Sequence, residues 1–83
     1  MIIHSWDEIS EEWATHELDI PTTTDPEAIH LALGRLLVGG NDGGDGYEVV
    51  GHTITGPIMT IECRDDRNHL AIIVVNQEQN LPS

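Results

Sequence analysis

The sequence predicts an α+β domain in which two N-terminal helices pack on a three-stranded antiparallel β-meander. Three observations lead to this fold class. A chain of 83 residues fits a single domain, 1–83. Residues 70–75 (Leu-Ala-Ile-Ile-Val-Val) form the longest unbroken apolar run, which is typical of a strand covered on both faces. Helix-start signals occur in the first half of the chain, and strand patterns occur in the second half.

The first predicted helix spans residues 6–15. Residues 5–8 (Ser-Trp-Asp-Glu) have the spacing of a capping box, in which the first and fourth side chains bond each other's backbone amides. Trp6, Ile9 and Trp13 fall at i, i+3 and i+7, which places them on one helical stripe. The acidic residues lie mostly off that stripe. We therefore expect a short helix with an apolar edge and an acidic face.

The second predicted helix spans residues 26–38 and has the clearer start. Asp25 is a good N-cap, Pro26 suits the first turn, and Glu27 complements the helix dipole. A helical apolar stripe follows, made of Ile29, Ala32, Leu33, Leu36 and Leu37. The glycines after residue 38 end the helix.

The second half of the chain predicts the meander. The three strands are expected at residues 47–54, 58–64 and 69–76, after a glycine-rich loop at residues 39–46. Residues 1–4 predict a short edge strand. Helices on one side cover only one face of a sheet, yet the last strand is apolar on both. The second face therefore needs the N-terminal strand, the connector at residues 17–24 or a partner, of which a homodimer through the sheet is the simplest version.

Negative charge is the strongest compositional signal. The chain has 15 acidic residues, three Arg and no Lys, for a net charge of −12, and residues 1–34 contain acids but neither Lys nor Arg. Such a chain repels nucleic acid and anionic lipid and attracts basic surfaces. Adaptation to a halophilic cytoplasm and plain solubility are alternative explanations. One cysteine and the lack of a targeting or membrane-spanning segment favour a cytoplasmic protein.

The sequence offers no motif for catalysis, and we expect no enzyme activity, cofactor or metal. The glycine-rich loop lacks the carboxylates of an EF-hand, with Gly43 and His52 at ligand positions, and lacks the Lys of a phosphate loop. Cys63 alternates with apolar residues and should be buried. An alternative is a small metal- or ligand-binding module that uses His52, Cys63 and His69.

The acidic N-terminal third is the best candidate for a binding surface. Carboxylates on a rigid helix can imitate DNA phosphates, or can cover the cationic cleft of a nuclease. The expected partner is a basic protein that handles nucleic acid, such as a nuclease toxin, a restriction enzyme or a CRISPR effector. The expected partner-binding residues are Asp7, Glu8, Glu11, Glu12, Glu17 and Asp19, with Trp6 and Trp13 as apolar anchors.

Residues 25–75 resemble small immunity proteins of bacterial polymorphic-toxin systems. The resemblance lies in residues 25–28 (Asp-Pro-Glu-Ala) opening an amphipathic helix, then residues 57–61 (Pro-Ile-Met-Thr-Ile) and 69–73 (His-Leu-Ala-Ile-Ile) as successive strands. Phage-encoded inhibitors of host defence are similar at this level. The resemblance implies an acidic α+β protein that blocks a toxin, often a nuclease or deaminase. It assigns no functional residue.

Overall fold

A computed structural model describes residues 1–37 and 47–79, with backbone alone for residues 35–37. The described chain contains five strands and one helix. In chain order these are β1 (Ile2–Asp7), β2 (Trp13–Glu17), α1 (Pro26–Leu37), β3 (Glu48–Thr55), β4 (Ile58–Arg64) and β5 (Leu70–Asn76). Within this part of the chain, no helix is long and apolar enough to cross a membrane.

All five strands belong to one antiparallel sheet with the order β2-β1-β5-β4-β3. The predicted fold class, two helices on a three-stranded meander, is therefore wrong. The meander strands themselves lie within one residue of their predicted bounds. The predicted edge strand at residues 1–4 is instead the longer strand β1, which lies inside the sheet between β2 and β5.

The predicted first helix is a β-hairpin. Trp6 and Trp13, assigned to one helical stripe, lie opposite each other on antiparallel strands. The turn between them is closed by Asp7, whose carboxylate accepts hydrogen bonds from the backbone N–H and the hydroxyl of Ser10 at 2.7 and 2.9 Å. An isolated helix of about ten residues is marginal. In this segment, the packing of aromatic and β-branched side chains on a half-buried sheet stabilises the hairpin more than helix propensity would stabilise a short helix.

The helix α1 begins at Pro26, as predicted. Asp25 caps it, because its Oδ1 accepts a hydrogen bond from the Glu27 backbone N–H at 3.1 Å. Ile29 and Leu33 are buried against the sheet. Residue 38, where the helix was predicted to end, and the glycine-rich loop at residues 39–46 lie outside the described residues.

The apolar strand β5 is the central strand of the sheet. The core lies between one sheet face and α1, and its buried residues are Ile3, Leu18, Ile29, Leu33, Met59, Ile61, Cys63, Ile73 and Val75. On the opposite face Ile72 lies between Trp6 and Glu62 of the neighbouring strands, and it is only partly buried. The N-terminal strand therefore pairs along the side of β5 and does not cover its second face.

Candidate functional site

The eight residues predicted to bind a partner form one hairpin with its continuation. We call residues 6–19 the acidic hairpin, because they contain six carboxylates and neither Lys nor Arg. The hairpin comprises the end of β1, a turn at residues 8–12, the strand β2 and two following residues. Asp7, Glu8, Glu11 and Glu12 were predicted on a helical face, and Glu17 and Asp19 were predicted to follow that helix. In the structure Glu11 and Glu12 lie at the tip of the hairpin, and Glu17 and Asp19 lie at the end of the outer strand and just beyond it.

Two of the predicted carboxylates hold the hairpin together. Asp7 bonds Ser10 across the turn, as described above. Glu8 reaches β5, where its Oε1 accepts a hydrogen bond from the Leu70 backbone N–H at 2.8 Å, while its own backbone N–H donates to the Leu70 carbonyl at 2.9 Å. These acids fix the shape of the hairpin and are poor candidates for direct contact with a partner.

Large apolar side chains are exposed in the same hairpin as the four remaining carboxylates, those of Glu11, Glu12, Glu17 and Asp19. The exposed fractions are 67 % for Ile9 and 60 % for Trp13. Trp13 lies opposite the partly buried Trp6 in the register of β1 and β2, so its position is fixed by the hairpin. Exposed aromatic residues on a rigid support are typical of interaction surfaces. Ile9 was predicted on the apolar stripe of a helix, so its exposure was not expected. It is exposed because residues 8–12 form a turn and not a helix.

The hairpin between β4 and β5 lies at the same end of the sheet as the acidic hairpin. The bonds between Glu8 and Leu70 join the two. This neighbouring turn, residues 65–68, adds Asp65 and Asp66, and it also brings Arg67. No sequence signal places these groups together, because the pairing of β1 with β5 joins segments that are far apart in the chain.

Asp65 is the most constrained carboxylate of this turn. Its side chain is only 10 % exposed and accepts hydrogen bonds from the His69 backbone N–H at 2.7 Å and the Arg67 backbone N–H at 2.9 Å, and it contacts His69 Nδ1 at 2.8 Å. Partial burial raises the pKa of Asp65, but these hydrogen bonds and the His69 charge outweigh it. The pKa therefore lies below its usual value of 3.8.

A cavity of about 210 Å³ lies between α1 and the strands β1 and β5. Its floor has small side chains, Ser5 and Ala71, which leave space beneath His30 and Leu33 of the helix. The Nε2 atom of His30 is buried and has no hydrogen-bond partner among the described residues. The lining is mostly apolar, so the cavity offers room for a small molecule but little chemistry.

Ser5 Oγ and His16 Nε2 are 3.2 Å apart, which is the distance of a serine nucleophile and its base. Within the described residues, no third group contacts the His16 ring to orient it, as a catalytic triad requires. Ser5 and His16 are on paired strands, and their bond is a cross-strand contact. It does not by itself make a catalytic site.

The residues of the alternative metal module do not converge. Cys63 is buried in the core, His52 is exposed on the edge strand β3, and His69 is bound to Asp65. Across residues 1–37 and 47–79, no group of three or more His, Cys, Asp or Glu side chains could hold a metal ion.

Comparison with known proteins does not assign the chain to a family. No protein-family model matches the chain, and no curated protein and no solved structure matches it either. Only the arrangement of its described side chains bears on what the chain does.

Proposed function

We propose that this chain is a non-enzymatic inhibitor that binds a basic, nucleic-acid-handling protein through the acidic hairpin and occludes its cationic surface. One observation carries the proposal. The acidic hairpin combines exposed apolar anchors, Ile9 and Trp13, with carboxylates that no Lys or Arg of the same segment neutralises. Anchors provide affinity at the centre of an interface, and surrounding charge provides fast, selective encounter.

The uneven distribution of charge supports binding over solvent adaptation. Residues 1–34 have eight acids and neither Lys nor Arg, for a charge of −8 with His neutral, whereas residues 35–83 have seven acids and three Arg, for −4. Of the two arginines whose side chains are described, Arg64 and Arg67, the first is paired with Glu62 at 3.3 Å. Adaptation to high salt would distribute acidic residues over the whole surface, whereas a binding site for a basic partner concentrates them in one place.

The first experiment compares two triple variants that change the net charge equally. Glu11, Glu12 and Glu17 of the acidic hairpin are changed to Gln, and the control changes Glu27, Glu48 and Glu78, which are exposed elsewhere. The probe is a polylysine peptide about as long as a common strand. Its Kd is measured by isothermal titration calorimetry from about 20 to about 300 mM NaCl, which shortens the screening length severalfold.

We expect the hairpin variant to bind roughly tenfold more weakly, a loss of about 1.4 kcal/mol, and to have a smaller salt dependence. The control variant should bind nearly as the unmodified protein does. Equal losses for both variants would show that only net charge matters, and the acidic hairpin would then not be a binding site.

A further variant, Trp13→Ala, tests the anchor. An exposed indole beside carboxylates can stack on a Lys or Arg of the partner, which contributes about 0.5–1 kcal/mol at exposed sites. We expect a roughly twofold to fivefold weaker complex with the same probe, which is the same range converted to affinity. A Trp13→Phe variant, which keeps an aromatic face, should recover most of the loss.

A further inference from the structure

The strand β2 forms an open edge of the sheet. It is the first strand in the order β2-β1-β5-β4-β3, so only β1 pairs with it. Four of its five residues are exposed, with His16 the exception. An edge strand has a row of backbone N–H and C=O groups that can pair with another segment.

The register identifies the backbone groups that face outward. Leu18 donates its N–H to the Met1 carbonyl at 2.7 Å, and the Met1 nitrogen donates to the Leu18 carbonyl at 3.0 Å. Antiparallel pairs alternate between bonded and non-bonded, so the pairs of β1 with His16 and Ala14 are bonded as well. The N–H and C=O groups of Trp13, Thr15 and Glu17 consequently point away from β1.

Within the described residues, these outward backbone groups have no hydrogen-bond partner. The strand β2 also lacks several of the features with which edge strands usually avoid pairing. It contains no Pro and no Lys, and its register with β1 is uninterrupted. The opposite edge strand, β3, differs, because a bulge interrupts its register between Val49 and Gly51. The edge at β2 is therefore the better template for a new strand.

The negative charge next to β2 determines which kind of segment could pair with this strand. Glu12, Glu17 and Asp19 lie at the two ends of the strand, and Trp13 and Thr15 are exposed along it. Neither Lys nor Arg occurs before residue 35. A second copy of this acidic chain would bring its own carboxylates against these acids. A segment with Lys or Arg at alternate positions would be attracted along the whole edge.

We infer that an extended, Lys- or Arg-rich segment of the partner adds to the sheet as a sixth strand beside β2. Its main chain pairs with the outward groups of Trp13, Thr15 and Glu17, and its cations contact the flanking carboxylates. Main-chain pairing gives affinity with little dependence on sequence, and the alternating cations give selectivity. The inference rests on the proposed function, because it specifies how the basic partner is bound.

The test removes one outward N–H and leaves the charge unchanged. Thr15→Pro lacks that N–H, and Pro is tolerated on an edge strand where the N–H faces solvent. Thr15→Val keeps the N–H but loses the side-chain bond to His4 Nδ1, which is 3.0 Å in length, so it is the matched control. The probe is a peptide of alternating Lys and Thr, about ten residues long, which is enough to span the strand.

We expect the unmodified protein and Thr15→Val to bind this peptide with similar Kd by calorimetry. Thr15→Pro should bind at least roughly tenfold more weakly while its circular dichroism spectrum stays unchanged. A second measurement leaves the protein unaltered and uses the same peptide N-methylated at alternate residues. One of the two alternating N-methyl patterns should lose binding and the other should keep it, because only one row of N–H groups faces β2.

Each contrary outcome has a distinct meaning. If Thr15→Pro and both N-methylated peptides bind normally while Glu12→Gln, Glu17→Gln and Asp19→Asn weaken binding, strand addition is wrong and the proposed function stands. If the carboxylate variants also bind normally, both proposals are wrong. If the protein forms dimers that Thr15→Pro abolishes, the edge pairs with a second copy, which overturns the inference.

Discussion

Asp65 gives the structure a defined response to acid. Its pKa in the folded state lies below the unfolded value of about 3.8, so the ionised carboxylate stabilises the fold above that pH. This stabilisation is lost as the pH falls through the folded pKa. We expect Asp65→Asn to lower the Tm at neutral pH and to have progressively less effect below about pH 4.

The measurement for Asp65 is the difference in Tm between variant and unmodified protein, followed by circular dichroism across this pH range. Asp66→Asn removes the same charge from an exposed position in the same turn and is the control. It should shift Tm far less at neutral pH. A destabilisation by Asp65→Asn that persists unchanged in acid would mean that packing, and not the charge, accounts for it.

Glu11 occupies a backbone conformation that suits glycine. Its φ is 56°, in the left-handed region, where a side chain with a Cβ costs roughly 1–2 kcal/mol. The greater freedom of glycine in the unfolded chain offsets part of this. We therefore expect Glu11→Gly to raise the free energy of unfolding by about 0.5 kcal/mol in urea titrations.

Glu12→Gly is the matched control for Glu11→Gly, because it removes the same charge from the next position. Glu12 does not have a positive φ. The control should lower the free energy of unfolding by about 0.5–1 kcal/mol. If both variants stabilise the protein, the cause is the removal of a repelling negative charge and not the relief of backbone strain at Glu11.

At the level of elements, α1 is the only described helix and covers the core face of the sheet. Ile29, on the face of α1 that packs against the sheet, is fully buried. We expect Ile29→Ala to cost about 2–5 kcal/mol of unfolding free energy, because it leaves a cavity at the centre of this cover. Leu31, on the same helix, is 54 % exposed, and Leu31→Ala should cost about 0.5 kcal/mol. Similar costs for both would mean that α1 packs loosely.

The elements that sequence predicted well are those with local signals. The Asp25-Pro26 start of α1 and the alternation of Met59, Ile61 and Cys63 in β4 each specify their element from a few neighbouring residues. The first hairpin was missed because Trp6, Ile9 and Trp13 fit both a helical stripe and a turn flanked by two strands. The choice depends on β5, which pairs with β1 from a distant part of the sequence.

The same reasoning explains what was predictable about the candidate site. Its composition was evident, because the acidic residues and the two Trp are simply present in the first third of the chain. Its geometry was not evident, because the sequence does not show that the Glu8 carboxylate accepts a hydrogen bond from Leu70 or that the Asp7 carboxylate accepts one from Ser10. The outward backbone groups of β2, which carry the strongest inference, are visible only once the strand order is known.

For the whole molecule, charge sets how stability depends on salt. A net charge of −12 on a chain of this size repels itself, and screening relieves that repulsion. If the acids serve binding, the protein should be folded at about 10 mM NaCl, and its Tm should rise modestly up to about 150 mM, where the screening length is about 8 Å.

Thermal unfolding by circular dichroism over this salt range, extended to molar concentrations, checks the expectation. A variant with Glu27, Glu48 and Glu78 changed to Gln should have a smaller salt response, because it has less charge to screen. A protein that remains unfolded until molar salt is added would favour halophilic adaptation, the alternative stated above, and would remove the main support for the proposed function.

The position of β5 has a consequence for how the protein is made in the cell. The strand at the centre of the sheet follows every other strand in the sequence, so a ribosome synthesises it after both of its neighbours. Until β5 emerges, the β1–β2 and β3–β4 hairpins have no strand to join them, and β1 and β4 each present an open edge. Folding of this sheet is therefore completed only after β5 has been synthesised, and a chain interrupted before residue 70 has no complete sheet to form.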